Sequence, residues 1–179
     1  MNIIKKLLFL IFKPKSWFKS FWENNKIWFF NWFQKPQNIS IWNHNFMYYW
    51  NMFLAWDNKI NIWNGCHFAM NILLITYSHA FNLPDIESIP YDKRLIWRDI
   101  VIKDWVWIWT RVVILPWVTV WKWAIIAAGA IVSKSIPDYE IWWGNPAKKI
   151  SIRKNIEQFE KLLKEWKFRR KLKYKNEQK

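Results

Sequence analysis

Cut every six residues, positions 102–137 read IKDWVW, IWTRVV, ILPWVT, VWKWAI, IAAGAI and VSKSIP. The first position holds Ile102, Ile108, Ile114, Val120, Ile126 and Val132, all β-branched aliphatics. The fifth holds Val106, Val112, Val118, Ala124, Ala130 and Ile136, mostly small or medium. A period of six matches neither a helical face nor a plain strand alternation. It suits a parallel β-helix, in which each hexad gives a short strand and a turn, and three hexads close a triangular coil of about 18 residues. Coils stacked at about 4.8 Å would set each first-position chain inward on its equivalent one coil away. The β-branched density and the prolines Pro116 and Pro137 oppose an amphipathic helix here.

The same phase extends upstream less cleanly. Ile41, Met47 and Phe53 open three hexads, and after a short slip Ile62, Phe68 and Leu74 open three more. Cys66 falls in the small inward column, which reads as core filler and not as a nucleophile. Between His79 and Asp99 the period vanishes in a stretch containing Pro84 and Pro90. That reads as a long loop thrown out of the coil, and loops of this length inside compact domains are usually functional. Ile152, Ile156, Phe159, Leu162, Leu163 and Trp166 then recur at helical spacing. They predict an amphipathic helix that packs on the solenoid or on a neighbouring subunit. The expected fold is an all-β solenoid with a loop extruded at about residues 80–100 and a C-terminal α-helix. A basic aromatic segment, 1–26, precedes a β-helix over 27–151, and the helix and a basic tail fill 152–179.

At 179 residues the chain is one domain's length, and 53% hydrophobic content is ample for a core. Three Gly and a single Cys exclude collagen-like, glycine-linker and disulfide-scaffold classes. The net charge of +15 sits mostly in the ends: +5 over residues 1–26, +1 over 27–147 and +9 over 148–179. Basic ends can meet phosphate, an anionic membrane surface or only water. A membrane-surface or nucleic-acid binder acting through the termini is therefore one alternative, although the near-neutral middle argues against nucleic acid. No apolar run is long enough to span a bilayer. Leu7–Phe12 is short and lacks a small-residue cleavage site, so it is a poor signal peptide. Phe9, Phe12, Trp17, Phe18 and Phe21 interleave with lysines. That pattern leaves open an N-terminus touching the inner membrane face or one packed on its own domain. One cysteine and no export signal point to the cytoplasm.

Eighteen tryptophans against three glycines are out of proportion. Trp109 and Trp121 occupy the second hexad position, and Trp105, Trp117 and Trp123 the fourth, where Gly129 also sits. These are turn positions, where positive φ or close approach favours glycine. With glycine substituted there, residues 102–137 resemble the hexapeptide-repeat acyltransferases, whose fold is a left-handed parallel β-helix. The segment Ile141-Trp-Trp-Gly-Asn-Pro-Ala-Lys-Lys-Ile150 is similar to that family's closing motif, with one glycine replaced. The resemblance covers about residues 27–152 and is nearest the maltose and galactoside O-acetyltransferase branch. It suggests that many tryptophans stand for glycine, encoded by UGA in a bacterium that reads the codon so. The codons at 105, 109, 117, 121 and 123 test this: UGG there ends the idea. Trp107 matches a position where the family often has tryptophan.

The resemblance implies an acetyl-CoA-dependent O-acetyltransferase, a homotrimer with the active site shared between subunits, acting on a sugar or similar small acceptor. A catalytically inactive β-helix that binds a partner is the rival reading. His79, at the mouth of the loop in Thr76-Tyr-Ser-His-Ala-Phe81, stands where the family keeps its catalytic base. A near-neutral imidazole there would take the acceptor hydroxyl's proton as the oxygen attacks the thioester. Asn51, in Tyr49-Trp-Asn51, is a candidate to orient substrate or thioester through its amide, or equally a turn-capping residue. Carried over by position, Trp107, Thr110, Ala128 and Ser133 would line the coenzyme groove, and Lys134 and Lys148 would face phosphates. Ser151 stands where relatives have arginine, so Arg153 is the candidate replacement. His44, His67 and His79 are far apart in sequence and lack Asp or Cys at ligand spacing, so no metal is expected.

Overall fold

Ile102, Ile108, Ile114, Val120, Ile126 and Val132 are fully buried, and so are their upstream equivalents Ile41, Met47, Phe53, Ile62, Phe68 and Leu74. The computed structural model of the chain describes residues 18–22, 24–80, 83–85 and 93–164. Within it the hexads wind into a parallel β-helix with three faces. The first face stacks Ser20–Phe21, Ile39–Ile41, Ile60–Ile62, Ile100–Ile102 and Thr119–Val120. The second stacks Lys26–Ile27, Phe46–Met47, His67–Phe68, Trp107–Ile108, Ile125–Ile126 and Glu140–Gly144, then closes on the antiparallel Ala147–Ile152. The third stacks Trp32–Gln34, Met52–Leu54, Leu73–Ile75, Val113–Ile114 and Ile131–Val132. Core apolar columns run the length of the prism, so each coil is stabilised mainly by its two neighbours.

Between coils the equivalences are regular. Ile102 pairs with Val120, three hexads on, whereas Ile41 pairs with Ile62, three hexads and the slip further on. The expected slip therefore sits at the corner joining the third face to the first. The preceding coil carries a single 3-10 turn, Pro36–Asn38, at that same corner. The extruded loop leaves from this corner too. Its stem is an antiparallel ribbon, Tyr77–His79 against Leu95–Trp97.

The fourth hexad position is the left-handed one. Trp105, Arg111, Trp117, Trp123 and Gly129 all have φ between 57° and 72°. Trp109 and Trp121, expected to share that conformation from the second position, lie outside it. The chain is still leaving its strand there, and the reversal comes two positions later. Gly129 has open space where a Cβ would go, so only backbone conformation favours glycine. Gly65 has a second reason, because its Cβ would lie 2.5 Å from the Trp105 ring. Gly129→Ala should therefore destabilise by about 1 kcal/mol and Gly65→Ala by about 3 kcal/mol, since overpacking adds to strain. Denaturant titration of both variants checks this, and equal losses would remove the steric part of the account.

Two boundaries differ from the sequence expectation. The β-helix begins before residue 27, because Ser20–Phe21 and Lys26–Ile27 already pair with the next coil and Phe18 is in the core. The C-terminal helix spans Ile156–Lys164, while Ile152 ends a strand. The helix docks on the corner between the first and second faces, where Trp105, Trp123 and Phe159 form one stack with centroid spacings of 5.4 and 5.3 Å. Lys122 and the Tyr139 hydroxyl both bond Glu160 of the helix. Phe9, Phe12, Trp17, Trp166, the basic tail and, in the 80–100 loop, residues 81–82 and 86–92 lie outside the described residues.

Candidate active site

On the second face, the residue just before each inward aliphatic points outward. Lys26, Phe46, His67, Trp107, Ile125 and Ile141 follow one another in register along that column. Beside it, Trp107, Trp109, Ile125, Ala127, Ala128, Ile141, Trp143 and Ile150 enclose an open apolar groove of about 450 Å³. The β-hairpin that closes the solenoid supplies Trp143 and Ile150. Lys148, paired with the groove-lining Trp143 in that hairpin, is exposed. Two of the residues expected to line a coenzyme groove, Trp107 and Ala128, thus meet in one place.

The other expected residues are distributed differently. His79 ends the first strand of the ribbon, at the corner between the third and first faces, and is exposed. Ser133 and Lys134 leave the third face at the same corner, two coils further on. Within one chain, His79, Ser133 and Lys134 therefore occupy one edge of the prism, while Trp107 and Ala128 occupy another face. Thr110 does not line the groove, and its hydroxyl donates to the Met70 carbonyl at 2.7 Å. Among the described residues no three His, Cys, Asp or Glu side chains cluster closely enough to share an ion.

Asn51 is not a substrate-facing amide. It is completely buried; its Oδ1 accepts from the Ile72 amide and its Nδ2 donates to the Tyr48 carbonyl. Asn31 caps Asn51 in the same way one coil earlier, and Asn25 and Asn45 repeat the device at the neighbouring corner. These asparagines satisfy backbone N–H groups where the coil turns, which a buried corner requires. The signal was present in the sequence: Asn25, Asn31, Asn45 and Asn51 all fall at the fifth, inward hexad position. Arg153 is likewise committed elsewhere. Its guanidinium lies over Trp123 and Phe159, and its half-burial lowers its pKa.

His67 is not marked out by its sequence context, yet it sits one coil from Trp107 with the two rings parallel, 6.1 Å apart and inclined by 5°. Phe46 meets it edge-on at 5.0 Å. Its Nε2 is buried without a hydrogen-bond partner among the described residues, and burial lowers the pKa below the usual 6.5. The unfolded chain gains this proton more readily than the folded one. The stability from neutral His67 is thus complete above 6.5 and is lost as pH falls through the lower folded value. Melting temperature should fall as the pH drops below 6.5, and His67→Met should flatten that fall. Identical pH slopes in the two proteins would acquit His67.

Cys66 is buried in the inward column and its thiol donates to the Lys103 carbonyl. Desolvation raises its pKa far above the range of a reactive thiolate.

Comparison with solved structures identifies the fold. A maltose O-acetyltransferase from Clostridium difficile superposes with a TM-score of 0.71 and 26% identity, covering 79% of this chain and 73% of that one. The fold is that of the hexapeptide-repeat acetyltransferases. Their solenoid is a left-handed parallel β-helix, as the sequence resemblance implied. A hexapeptide-repeat acetyltransferase from Vibrio cholerae complexed with acetyl-coenzyme A shares the fold at a TM-score of 0.69 and 20% identity, over 87% of this chain and 80% of that one. So does a galactoside acetyltransferase in complex with coenzyme A, at 0.66 and 24% over 80% and 70%. In sequence, 84 residues are 45% identical to a probable macrolide acetyltransferase of Lysinibacillus sphaericus, 46% of this chain and 44% of that relative. The match thus spans less than half the length of the curated relative. No family model matches. Among the described residues no helix is long and apolar enough to cross a membrane.

Proposed function

We propose that this protein transfers an acetyl group from acetyl-CoA to a hydroxyl of a sugar or similar small acceptor, with His79 as general base. The carrying observation is the apolar groove lined by Trp107 and Ala128, with the exposed Lys148 paired to its wall residue Trp143. Such a groove suits a pantetheine arm whose phosphates reach a cation. The coenzyme-bound relatives support the same donor.

The acetyl group is carried as a thioester. His79 accepts the acceptor's proton as its oxygen attacks the thioester carbonyl, the C–S bond breaks, and the thiolate of CoA takes up a proton on leaving. Asn51 has no part in this reading, since its amide is enclosed in the coil.

Separation of His79 from the groove within one chain favours a site completed by a second copy, and a homotrimer is the assembly in this reading. The third face supports it. Its outward column is Trp32, Met52, Leu73, Val113 and Ile131, apolar throughout, with Trp32 56% and Met52 43% exposed. A continuous apolar column of that kind marks an interaction surface. Third face against second face around a threefold axis would carry the His79 corner of one subunit toward the groove of the next.

The test is release of CoA thiol from acetyl-CoA by purified protein with maltose, galactosides and other hydroxylated acceptors. Acceptor-dependent release is expected. No release with any acceptor, together with no measurable acetyl-CoA binding, would leave the solenoid as a non-catalytic scaffold.

A further inference from the structure

In the proposed reaction His79 takes the acceptor's proton and the groove holds the donor, but no residue orients the acceptor, since Asn51 is enclosed in the coil. The second face supplies a candidate. Its groove has a direction along the prism: the hairpin that carries Lys148 closes one end, Ile125, Ala127 and Ala128 line the middle, and Trp107 stands at the other end. With the phosphates at the hairpin, a pantetheine arm runs toward the N-terminal coils and its thioester ends beside Trp107. The next outward residue of that column, one coil beyond Trp107, is His67.

The surroundings of His67 are aromatic. Trp107 lies parallel to it, Phe46 meets it edge-on, and the Tyr48 ring is 5.9 Å away. Nε2 is enclosed among these groups, which leaves Nδ1 as the ring nitrogen on the open side of the half-buried residue. The imidazole makes no hydrogen bond to another described residue. Desolvating a polar ring this far without a partner is unfavourable, and an aliphatic side chain would fill the same space without that loss. A ligand that completes the hydrogen bond offsets it, and a few polar groups set in an apolar wall are what orient a small molecule. Burial keeps the ring neutral at pH 7. Nδ1 therefore offers either a lone pair or an N–H, and a hydroxyl can answer both.

We infer that His67 is an acceptor-binding residue, whose Nδ1 hydrogen-bonds a second hydroxyl of the compound while the reacting hydroxyl meets His79 of a neighbouring copy. The acceptor is then a polyol held between two imidazoles, one from each subunit. This rests on the acetyltransferase reading and on its shared site. His67 takes no proton from the reacting oxygen, so its loss belongs in the KM of the acceptor and not in kcat.

The experiment uses methyl β-galactoside, which carries several hydroxyls, and cyclohexylmethanol, which carries one. Each is assayed with acetyl-CoA in the wild type, His67→Met and His67→Gln. His67→Met should raise KM for methyl β-galactoside about tenfold, the upper range for one neutral hydrogen bond, with kcat and the KM of acetyl-CoA within about twofold of wild type. Cyclohexylmethanol should not distinguish the two proteins, and His67→Gln, which keeps a donor and an acceptor, should recover most of the loss. An unchanged galactoside KM, equal losses on both acceptors, or a loss that falls on acetyl-CoA overturns the inference. Imidazole nitrogen NMR gives a readout independent of turnover. The His67 signals, identified by their absence in His67→Met, should shift when methyl β-galactoside is added with CoA, and signals that stay in place also overturn it. CoA release from neither acceptor, with those signals still shifting, sinks the transferase reading and leaves the acceptor contact standing.

Discussion

His79→Ala should lower kcat for acetyl transfer by about 10²–10⁴, the usual yield of a positioned general base, while acetyl-CoA still binds. His79 ends a ribbon strand whose entry is pinned to the coil: the Arg98 amide donates to the Thr76 carbonyl at 2.9 Å, and the Ala80 amide to the Arg94 carbonyl at 3.0 Å. The imidazole is thus held on a rigid stem yet exposed, as a base meeting an external hydroxyl must be. His79→Gln keeps much of the shape without the basicity, so it should fail as badly as alanine. Stopped assays of CoA thiol at saturating acceptor check this. Turnover within threefold of wild type in either variant would remove His79 from the chemistry.

Placing a lysine on the third face should be nearly as severe. Leu73 and Val113 point outward in register with Met52 and Ile131, in the column proposed to meet a second copy. Burying an ammonium there without a partner is unfavourable enough to separate subunits. Leu73→Lys, or independently Val113→Lys, is expected to shift the mass measured by light scattering from trimer to monomer. Turnover should fall at least a hundredfold with it, because His79 and the Trp107 groove then sit on separate molecules. A mixing experiment isolates the sharing itself. His79→Ala and a groove-filling Ala128→Trp should each be inactive, yet refolded together they should regain about a quarter of wild-type turnover, the random share of interfaces with both parts intact. Monomeric wild type, or no recovery on mixing, defeats the shared site.

How far the sequence reading reaches is clearest residue by residue. The inward column of Ile102, Ile108 and Ile114 was legible because burial on a fixed period leaves little chemical latitude. The left-handed turn at Trp105, Trp117 and Trp123 was legible too, since Gly129 marks the same column. Trp109 was not separable from them, because one bulky aromatic looks like another until the backbone is known. Asn51 misled for a related reason. An amide able to bond a substrate is equally able to bond a backbone N–H, and only its inward position tells the two apart. His67 gave no local clue at all, because its place beside Trp107 arises from a pairing between coils that reaches across the whole extruded loop.

That extruded loop has one further meaning. Ile60–Ile62 pairs directly with Ile100–Ile102, so the coils on either side stay in step as if nothing lay between them. The excursion begins and ends at a single corner, and lengthening such a loop changes its closure entropy only slowly. New specificity can therefore be grafted at this point, by exchanging everything from Ala80 to Arg94, without asking the prism to be redesigned. The scaffold is a fixed frame, and the corner is where a lineage is free to experiment.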